Sequence, residues 1–440
     1  MAPVIATEDM PQIDGDQLLD DLLWRGLVAV STDLGALRAA MLAAPVTLYC
    51  GFDPTAPSLH LGNLVQILTL RRFQLAGHRP LALVGGATGL IGDPKPGAER
   101  VLNTPETVAA WVERIRAQVE PFLSFEGSSA AVMVNNLDWT AGLSAIDLLR
   151  EVGKHFRVNK MIAKEAVAAR LGSEAGISYT EFSYQILQGL DFLELYRRFG
   201  CTVQTGGSDQ WGNLTAGLDL IHRVEGFSAH ALATPLITKA DGTKFGKTEG
   251  GTIWLDAELT TPYAFFQFWL NADDRDVETY LKIFSLRPQA DIEALLEATR
   301  ERPAARAGQR ALAEELTALV HGSEHARTAE AAGRALFGQG ALEDVPEPTL
   351  AAALAETSVI TSEPGATYAD LLVATGLVAS KGAARRAVAE GGAYANNHRI
   401  ADADVAPGDE AYLHGQWLVL RRGKRAIAGV RRSEDFRTAL

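Results

Sequence analysis

Two cysteines in 440 residues, Cys50 and Cys201, are too few for a disulfide framework, and a chain so poor in them suits a reducing cytosol. Long apolar runs are also missing, so no segment is expected to span a bilayer. The stretch Met1 to Asp16 is acidic and lacks the basic start and apolar centre of a signal peptide. The formal net charge of −13 argues against a surface coated for nucleic acid. No cluster of His and Cys points to a protein-held metal. Apolar content of 47% and charged content of 22% then fit an ordinary globular protein, and the length predicts two or three domains.

The most informative stretch is Tyr49 to Asn63. Val46, Thr47, Leu48 and Tyr49 read as the end of a buried parallel strand. Gly51, Pro54 and Pro57 break it into a loop. A helical pattern (Leu64, Ile67, Leu68, Phe73, Leu75) begins just past His60 and closes at Gly77. A strand, a polar loop and a helix start form an anion site, because free N–H groups and the helix dipole both point into it. His60 and Thr55 are placed to donate to a phosphate, and Gly62 has no side chain to block a flat ring. A surface loop with an incidental histidine fits this stretch equally well.

The first forty residues read as a helical lead-in. A second strand, Pro80 to Gly85, runs into a glycine-rich turn ending in Asp93, which no Gly-Lys-Ser/Thr follows, so it is not a Walker A loop. Ala131 to Asn135 reads as a third strand. Glu181 to Phe199 predicts a helix with the apolar stripe Phe182, Ile186, Leu190 and Leu193. Tyr184, Gln188 and Asp191 project together from another side, as polar groups lying along a ligand would. Cys201 to Thr205 predicts a fourth strand, followed by the turn Gly206 to Asn213. Strands alternating with helices, with polar glycine turns after the strands' carboxyl ends, predict an open doubly wound α/β sheet with its ligand crevice at those ends.

Residues 239 to 251 hold three lysines and four glycines in thirteen positions, too flexible for a regular element. Lysines on such a loop can close over a polyphosphate, and an exposed turn with solvated lysines is the plain alternative. From Pro262 to about Glu356 the pattern is helical. The Ser/Thr/Pro/Gly cluster from Thr357 to Gly365 reads as a linker. Two short helices follow (Tyr368 to Leu377, Lys381 to Glu390), then short strands near Ala393, Ala411 to Leu413 and Trp417 to Leu420. From Lys381 onward eleven Lys and Arg face seven Asp and Glu, a local +4 against −17 for the rest. A basic tail on an acidic body suits a polyanion partner gripped by the tail.

Together these stretches resemble the bacterial tyrosyl-tRNA synthetases, class I aminoacyl-tRNA synthetases, over essentially the whole chain. His60-Leu61-Gly62-Asn63 looks like their HIGH signature, and Lys244-Phe245-Gly246-Lys247-Thr248 looks like the KMSKS loop. The tail resembles an S4-type RNA-binding domain. Asn63 stands where the signature has its second histidine; it can hydrogen-bond a ribose but cannot carry a proton charge. The turn Pro94 to Gly97 is shorter than the family's usual lysine-bearing loop, which leaves Lys95 and Arg100 without an assignment.

The resemblance implies a Rossmann-like, HUP-type parallel-sheet catalytic domain over residues 1–250, an α-helical domain over 251–356, a linker over 357–366 and an S4-like α+β RNA-binding domain over 367–440. It implies that tyrosine is activated by ATP and passed to the tRNA(Tyr) 3′ end, with Mg²⁺ accompanying ATP and no tightly bound cofactor. His60, Thr55, Lys244, Lys247 and Thr248 are then catalytic. Tyr49, Asp93, Tyr184, Gln188, Asp191 and Gln210 bind tyrosine, with Tyr49 and Asp191 on its phenol. Cys50, Gly51, Asp53, His60, Gly62, Asn63, Gly207, Asp209 and Lys247 bind ATP. A cytoplasmic homodimer without membrane contact is the family expectation. A tryptophanyl synthetase or another HIGH-type adenylyltransferase is the enzyme alternative. From another class, a catalytically silent RNA-binding or splicing factor is the rival, against which His60, Lys244 and Lys247 argue.

Overall fold

The computed structural model describes residues 13–94, 101–174, 176–243, 245–248 and 251–433. Its described residues fall into two compact units, one of Met1–Leu259 with Asp273–Gly308, the other of Thr260–Ala272 with Gln309–Leu440.

In the first unit the β-branched and apolar runs pair into one sheet: β1 (Val30–Ser31), β2 (Thr47–Phe52), β3 (Arg79–Val84), β4 (Val132–Asn135), β5 (Cys201–Gly207) and β6 (His230–Thr234). Their spatial order is β1-β6-β5-β2-β3-β4. β2 to β6 pair in parallel, and β1 lies antiparallel on β6. The central strands are buried on both faces, as Leu48, Tyr49, Leu81 and Val203 show, so they read as continuous apolar runs without alternation. Chain order grows outward from β2 in one direction and from β5 in the other. The reversal between these two strands opens a crevice at their carboxyl ends. This is the doubly wound class that the sequence predicts.

Two helices frame the crevice. Leu61–Leu75 follows β2, and Tyr179–Phe199 precedes β5. The second begins at Ser178, whose side chain accepts from the Glu181 N–H, and ends at Gly200 with φ +62°, the left-handed turn glycine adopts without strain. Ile186, Leu190 and Leu193 are buried in the core with Phe192 and Tyr49, and Phe182 packs against its edge.

The segment Asp273–Gly308, expected within a separate helical domain, belongs to the sheet unit. Two arginines hold it there. Arg25 donates to the carbonyls of Lys282 (3.0 Å), Ser285 (2.8 Å) and Arg287 (2.8 Å), and the buried Arg72 donates to Ile283 (2.7 Å) and Ser285 (2.9 Å). Helix periodicity alone carries no signal of these contacts.

A two-stranded pair, β7 (Lys247–Thr248) and β8 (Gly251–Thr252), completes the strands of the first unit. The second unit has helices Pro262–Leu270, Ser323–Leu336 and Glu347–Ala355 and the strands β9 (Ser358–Ser362), β10 (Ala393–Ala395), β11 (His398–Arg399), β12 (Trp417–Arg422) and β13 (Ala426–Arg432), which form one sheet ordered β11-β10-β12-β13-β9. The linker expectation over 357–366 is therefore corrected: β9 pairs in parallel with β13, from Ser358 opposite Ala428 to Ser362 opposite Arg432. The polar composition hid Val359 and Ile360, whose β-branched side chains suit an edge strand. Ala411 to Leu413, expected as a strand, is a short helical turn followed by one bridge, Leu413 to Trp417. The sequence reading did not anticipate β13.

Candidate functional site

The crevice is a cleft of about 470 Å³ at the carboxyl ends of β2 and β5. Tyr49, Cys50, Gly51, Asp53, Thr55, His60, Gly62, Asn63, Asp93, Tyr184, Gln188, Asp191, Gly207, Asp209 and Gln210 all line it, so residues scattered over 160 positions meet on one surface. Lys244 lies outside the described residues, as do Lys95 and Arg100. Of Lys247 and Thr248 the backbone is described, as strand β7, paired with β8 (Gly251–Thr252).

His60 caps the helix Leu61–Leu75. Its Nδ1 accepts the Gly62 N–H at 3.0 Å, and Asn63 Oδ1 accepts the His60 N–H at 3.1 Å. With Nδ1 used as an acceptor, the neutral ring carries its proton on Nε2, which can only donate. Asn63 thus has a capping task that needs no charge.

Among its described residues the lysine-bearing stretch holds the short strand β7, which corrects the expectation that it holds no regular element. Asp241 Oδ1 accepts from the Thr243 N–H (2.9 Å) and hydroxyl (2.6 Å), closing a turn at Gly242. Phe245 packs on Tyr280 and Phe284, ring centroids 5.0 and 5.2 Å apart. The Ala240 N–H donates to Asp276 at 2.8 Å. The helix Val277–Phe284 and its cap therefore seat the loop through an aromatic contact and a hydrogen bond.

A buried polar chain forms one wall. Tyr184 donates to Asp53 Oδ2 at 2.6 Å and the Thr88 hydroxyl to Asp53 Oδ1 at 2.6 Å. Asn136 donates to Thr88 (3.0 Å) and to Asp191 Oδ2 (3.0 Å), and the Trp139 indole donates to Asp191 Oδ1 at 2.8 Å. Both oxygens of Asp53, expected among the ATP ligands, are thus used inside the protein. Gly85 makes room for this: a Cβ there would overlap Asp53 Oδ1 and Thr88 Oγ1. Burial pushes the Asp191 carboxyl up to about 7 against the lowering effect of Asn136 and Trp139. Beside it, the Tyr49 hydroxyl is buried with no hydrogen-bond partner, and burial followed by the Asp191 charge raises it well above the ordinary phenol value. A buried, unsatisfied hydroxyl facing a carboxylate is costly unless a ligand completes it.

Also in the lining, Asp93 Oδ2 accepts from Gln210 at 2.9 Å and Oδ1 from Asn213 at 3.1 Å. Burial raises Asp209 above its ordinary value, and burial keeps the Cys50 thiol neutral, pushed up to about 12. The cleft therefore offers carboxylates and amides for an ammonium, a phenolic corner, and a donating imidazole at a helix start.

Sequence reading missed Thr88, Asn136, Trp139, Asn213, Gln66, Gln204 and Thr205. Some signal existed. Asn136 directly follows β4, and Gln204 is an amide in the middle of a predicted buried strand. The rest are ordinary polar residues until the fold brings them together.

In the second unit Arg386, Arg422, Lys424 and Arg425 line a recess of about 640 Å³, and the Arg421 guanidinium lies 4.3 Å from the Tyr394 ring centroid. Basic groups beside an aromatic face suit a nucleic-acid backbone.

Residues 41–338 match the profile of the family described as tRNA synthetases class I (W and Y), and residues 349–428 match the tyrosine–tRNA ligase SYY-like C-terminal domain. The latter match includes β9. The chain is 68% identical over 414 residues to the tyrosine–tRNA ligase of Streptomyces avermitilis, covering 94% of this chain and 98% of that protein. It is 64% identical over 422 residues to that of Acidothermus cellulolyticus, covering 94% and 99%. Among solved structures, a C-terminally truncated mitochondrial tyrosyl-tRNA synthetase from Coccidioides posadasii superposes with TM-score 0.64 at 32% identity, over 71% of this chain and 90% of that one. A tryptophanyl-tRNA synthetase from Encephalitozoon cuniculi shares the fold at TM-score 0.52 with 14% identity, over 79% of this chain and 97% of that one.

Proposed function

This chain belongs to the class I tRNA synthetases of the tryptophan and tyrosine type and, within them, to the tyrosine–tRNA ligases, and from that premise we propose how its cleft divides the work. The enzyme joins L-tyrosine to tRNA(Tyr) in two steps. The tyrosine carboxylate attacks the α-phosphorus of ATP, giving tyrosyl-adenylate and pyrophosphate, and the tyrosyl group then moves to the tRNA 3′ end.

The buried, unpartnered Tyr49 hydroxyl beside Asp191 is the observation that carries the substrate assignment. A substrate phenol gives the Tyr49 hydroxyl its partner and Asp191 a further donor beside Asn136 and Trp139, whereas phenylalanine leaves the Tyr49 hydroxyl unpaired; tyrosyl-tRNA synthetase is itself the reference case for this kind of discrimination. An indole lacks the hydroxyl that accepts and donates at one atom, which disfavours tryptophan. The ammonium binds among Asp93, Tyr184 and Gln188, and Gln210 lies by the amino-acid carboxylate.

ATP lies across the strand ends. Cys50, Gly51, Gly207, Asp209 and Asn63 border its nucleoside and Gly62 leaves its ring unobstructed, while Asp53 acts behind them by holding Tyr184 and Thr88. A carboxylate is already a nucleophile, so catalysis rests on alignment and on stabilising charge at phosphorus and on the departing pyrophosphate. His60, donating from Nε2, and Thr55 serve there, with Lys244, Lys247 and Thr248 closing from the loop. Mg²⁺ enters on the phosphates of ATP.

The basic face of the second unit grips tRNA. The enzyme works in the cytoplasm as a homodimer, a reading supported by exposed apolar side chains at Ile146, Leu149, Val158 and Ile162. A monomer mass in sedimentation equilibrium would overturn the dimer. No helix among the described residues is long and apolar enough to cross a membrane. The deciding experiment is ATP–pyrophosphate exchange with tyrosine, phenylalanine and tryptophan: exchange is expected with tyrosine alone, and equal exchange with either of the others removes the assignment of Tyr49 and Asp191.

A further inference from the structure

Behind the amino-acid site, one polar connection leaves the cleft. Asn213, buried at the start of the helix Trp211–Glu225, donates through Nδ2 to Asp93 Oδ1 (3.1 Å) and to Gln210 Oε1 (2.8 Å), while its Oδ1 accepts from Lys164 Nζ at 2.7 Å. Asp93 and Gln210 line the cleft. Lys164 lines a different recess, of about 360 Å³, together with Arg157, Lys160, Asp219 and Arg223. Its stem passes over Gly212, where a Cβ would come within 2.9 Å of Lys164 Cε, so the glycine leaves the lysine room to reach Asn213.

We propose that Lys164 is a positioning residue for tyrosine: acting through Asn213, it fixes the Asp93 carboxylate that receives the substrate ammonium, and so sets tyrosine affinity from outside the cleft. The proposal rests on the reading of Asp93 given above.

An ammonium has three donors and no acceptor, so the side of Asn213 that faces Lys164 must be its oxygen. The amide nitrogen is then forced towards Asp93 and Gln210. Remove the ammonium and the buried Asn213 oxygen loses its donor, so the amide is held from one side only, by Asp93 and Gln210. As the amide shifts to recover a donor, its bond to Asp93 loosens and the carboxylate is no longer fixed at the ammonium subsite. Lys164 is also desolvated: burial lowers it to about 7, against the pull of the Asp93 carboxylate.

Full-length variants Lys164→Met, Lys164→Arg and Asn213→Ala test this. Two ligands are titrated by equilibrium fluorescence, L-tyrosine and 3-(4-hydroxyphenyl)propionate, which keeps the phenol and carboxylate but has no ammonium. Lys164→Met and Asn213→Ala are each expected to weaken tyrosine about tenfold and the des-amino ligand less than about twofold, with Lys164→Arg recovering most of the loss. In exchange assays the loss should fall in the tyrosine KM and not in the ATP KM. Equal weakening of both ligands means a merely structural role and overturns the proposal, as does wild-type tyrosine affinity in Lys164→Met. Should Lys164→Met fail to fold, by circular dichroism, Asn213→Ala decides alone. Asp93→Asn, run alongside, separates the failures. If it selectively weakens tyrosine while Lys164→Met and Asn213→Ala do not, the relay alone is wrong. If it spares tyrosine, the reading of Asp93 and the relay fall together.

Discussion

His60 and Trp254 face each other across an antiparallel bridge. On either side, the Leu61 N–H donates to the Ile253 carbonyl at 3.3 Å and the Leu255 N–H to the Leu59 carbonyl at 2.9 Å. The Ile253 N–H in turn donates to Gly246, within the lysine-bearing stretch. The two signature segments, almost two hundred positions apart, are thus neighbours through backbone bonds. The loop is thereby tethered, at Gly246, to the segment that pairs with the imidazole-bearing helix start.

From that tether follows a prediction for Lys247. Its backbone is held in β7, so removing the side chain subtracts charge without releasing the loop. Lys247→Ala should slow adenylate formation by about 10²- to 10³-fold, the range for losing one stabilising donor, and leave tyrosine affinity nearly unchanged. Stopped-flow fluorescence separates these quantities. An unchanged rate would remove the loop from the chemistry.

Asp191 predicts a pH dependence. Its carboxyl sits at about 7 in the fold against an ordinary 3.8, because burial disfavours the charge. A raised carboxyl contributes stability that is complete below its ordinary value and lost as pH rises through about 7. Tyrosine recognition runs the opposite way, since accepting the phenol hydroxyl needs the ionised form. The tyrosine KM should therefore rise below pH 7, by about tenfold per unit at the limit. Trp139→Phe deletes a donor to Oδ1 and should move the midpoint upward. Exchange kinetics across pH 5.5 to 8.5 check both; a flat profile rules out ionised Asp191 as the acceptor.

Strand β9 changes where the chain should be cut. Truncation inside 358–362 leaves half a strand unpaired and an aggregation-prone edge. Ending the chain at Glu356 should preserve pyrophosphate exchange and abolish tRNA charging. Charging that survives this truncation would exclude the C-terminal strands from RNA binding.

Gly85→Ala should destabilise the first unit by about 1–3 kcal/mol, because the new methyl has no space between Asp53 and Thr88. Thermal unfolding measures the loss. Tyrosine affinity should fall with it, through the displaced Tyr184 partner.

The doubly wound sheet was legible because its strands are continuous apolar runs and each is followed by a polar glycine turn. The same logic put the loops that carry His60, Asp93 and Asp209 after the strands' carboxyl ends, and helix spacing grouped Tyr184, Gln188 and Asp191, while the tasks expected of Tyr49 and Asp209 came from the family resemblance. What remained hidden was contact. Asn136 and Asn213 are unremarkable amides whose importance lies in which carboxylate they meet. β9 failed for a different reason: an edge strand needs few apolar residues, so Ser358, Thr361 and Ser362 read as a linker although Val359 and Ile360 pair.

Arg25 and Arg72 converge on the carbonyl of Ser285 from separate helices. That geometry makes the amino-terminal lead-in a mechanical partner of the flap's aromatic seat. An Arg25→Ala chain would retain every group placed around the substrates yet lose the Arg25 fork, leaving the carbonyls of Lys282 and Arg287 without that donor. The seat under Phe245 would then loosen, and an enzyme with an unaltered pocket would turn over slowly for want of a brace more than thirty positions upstream of its histidine.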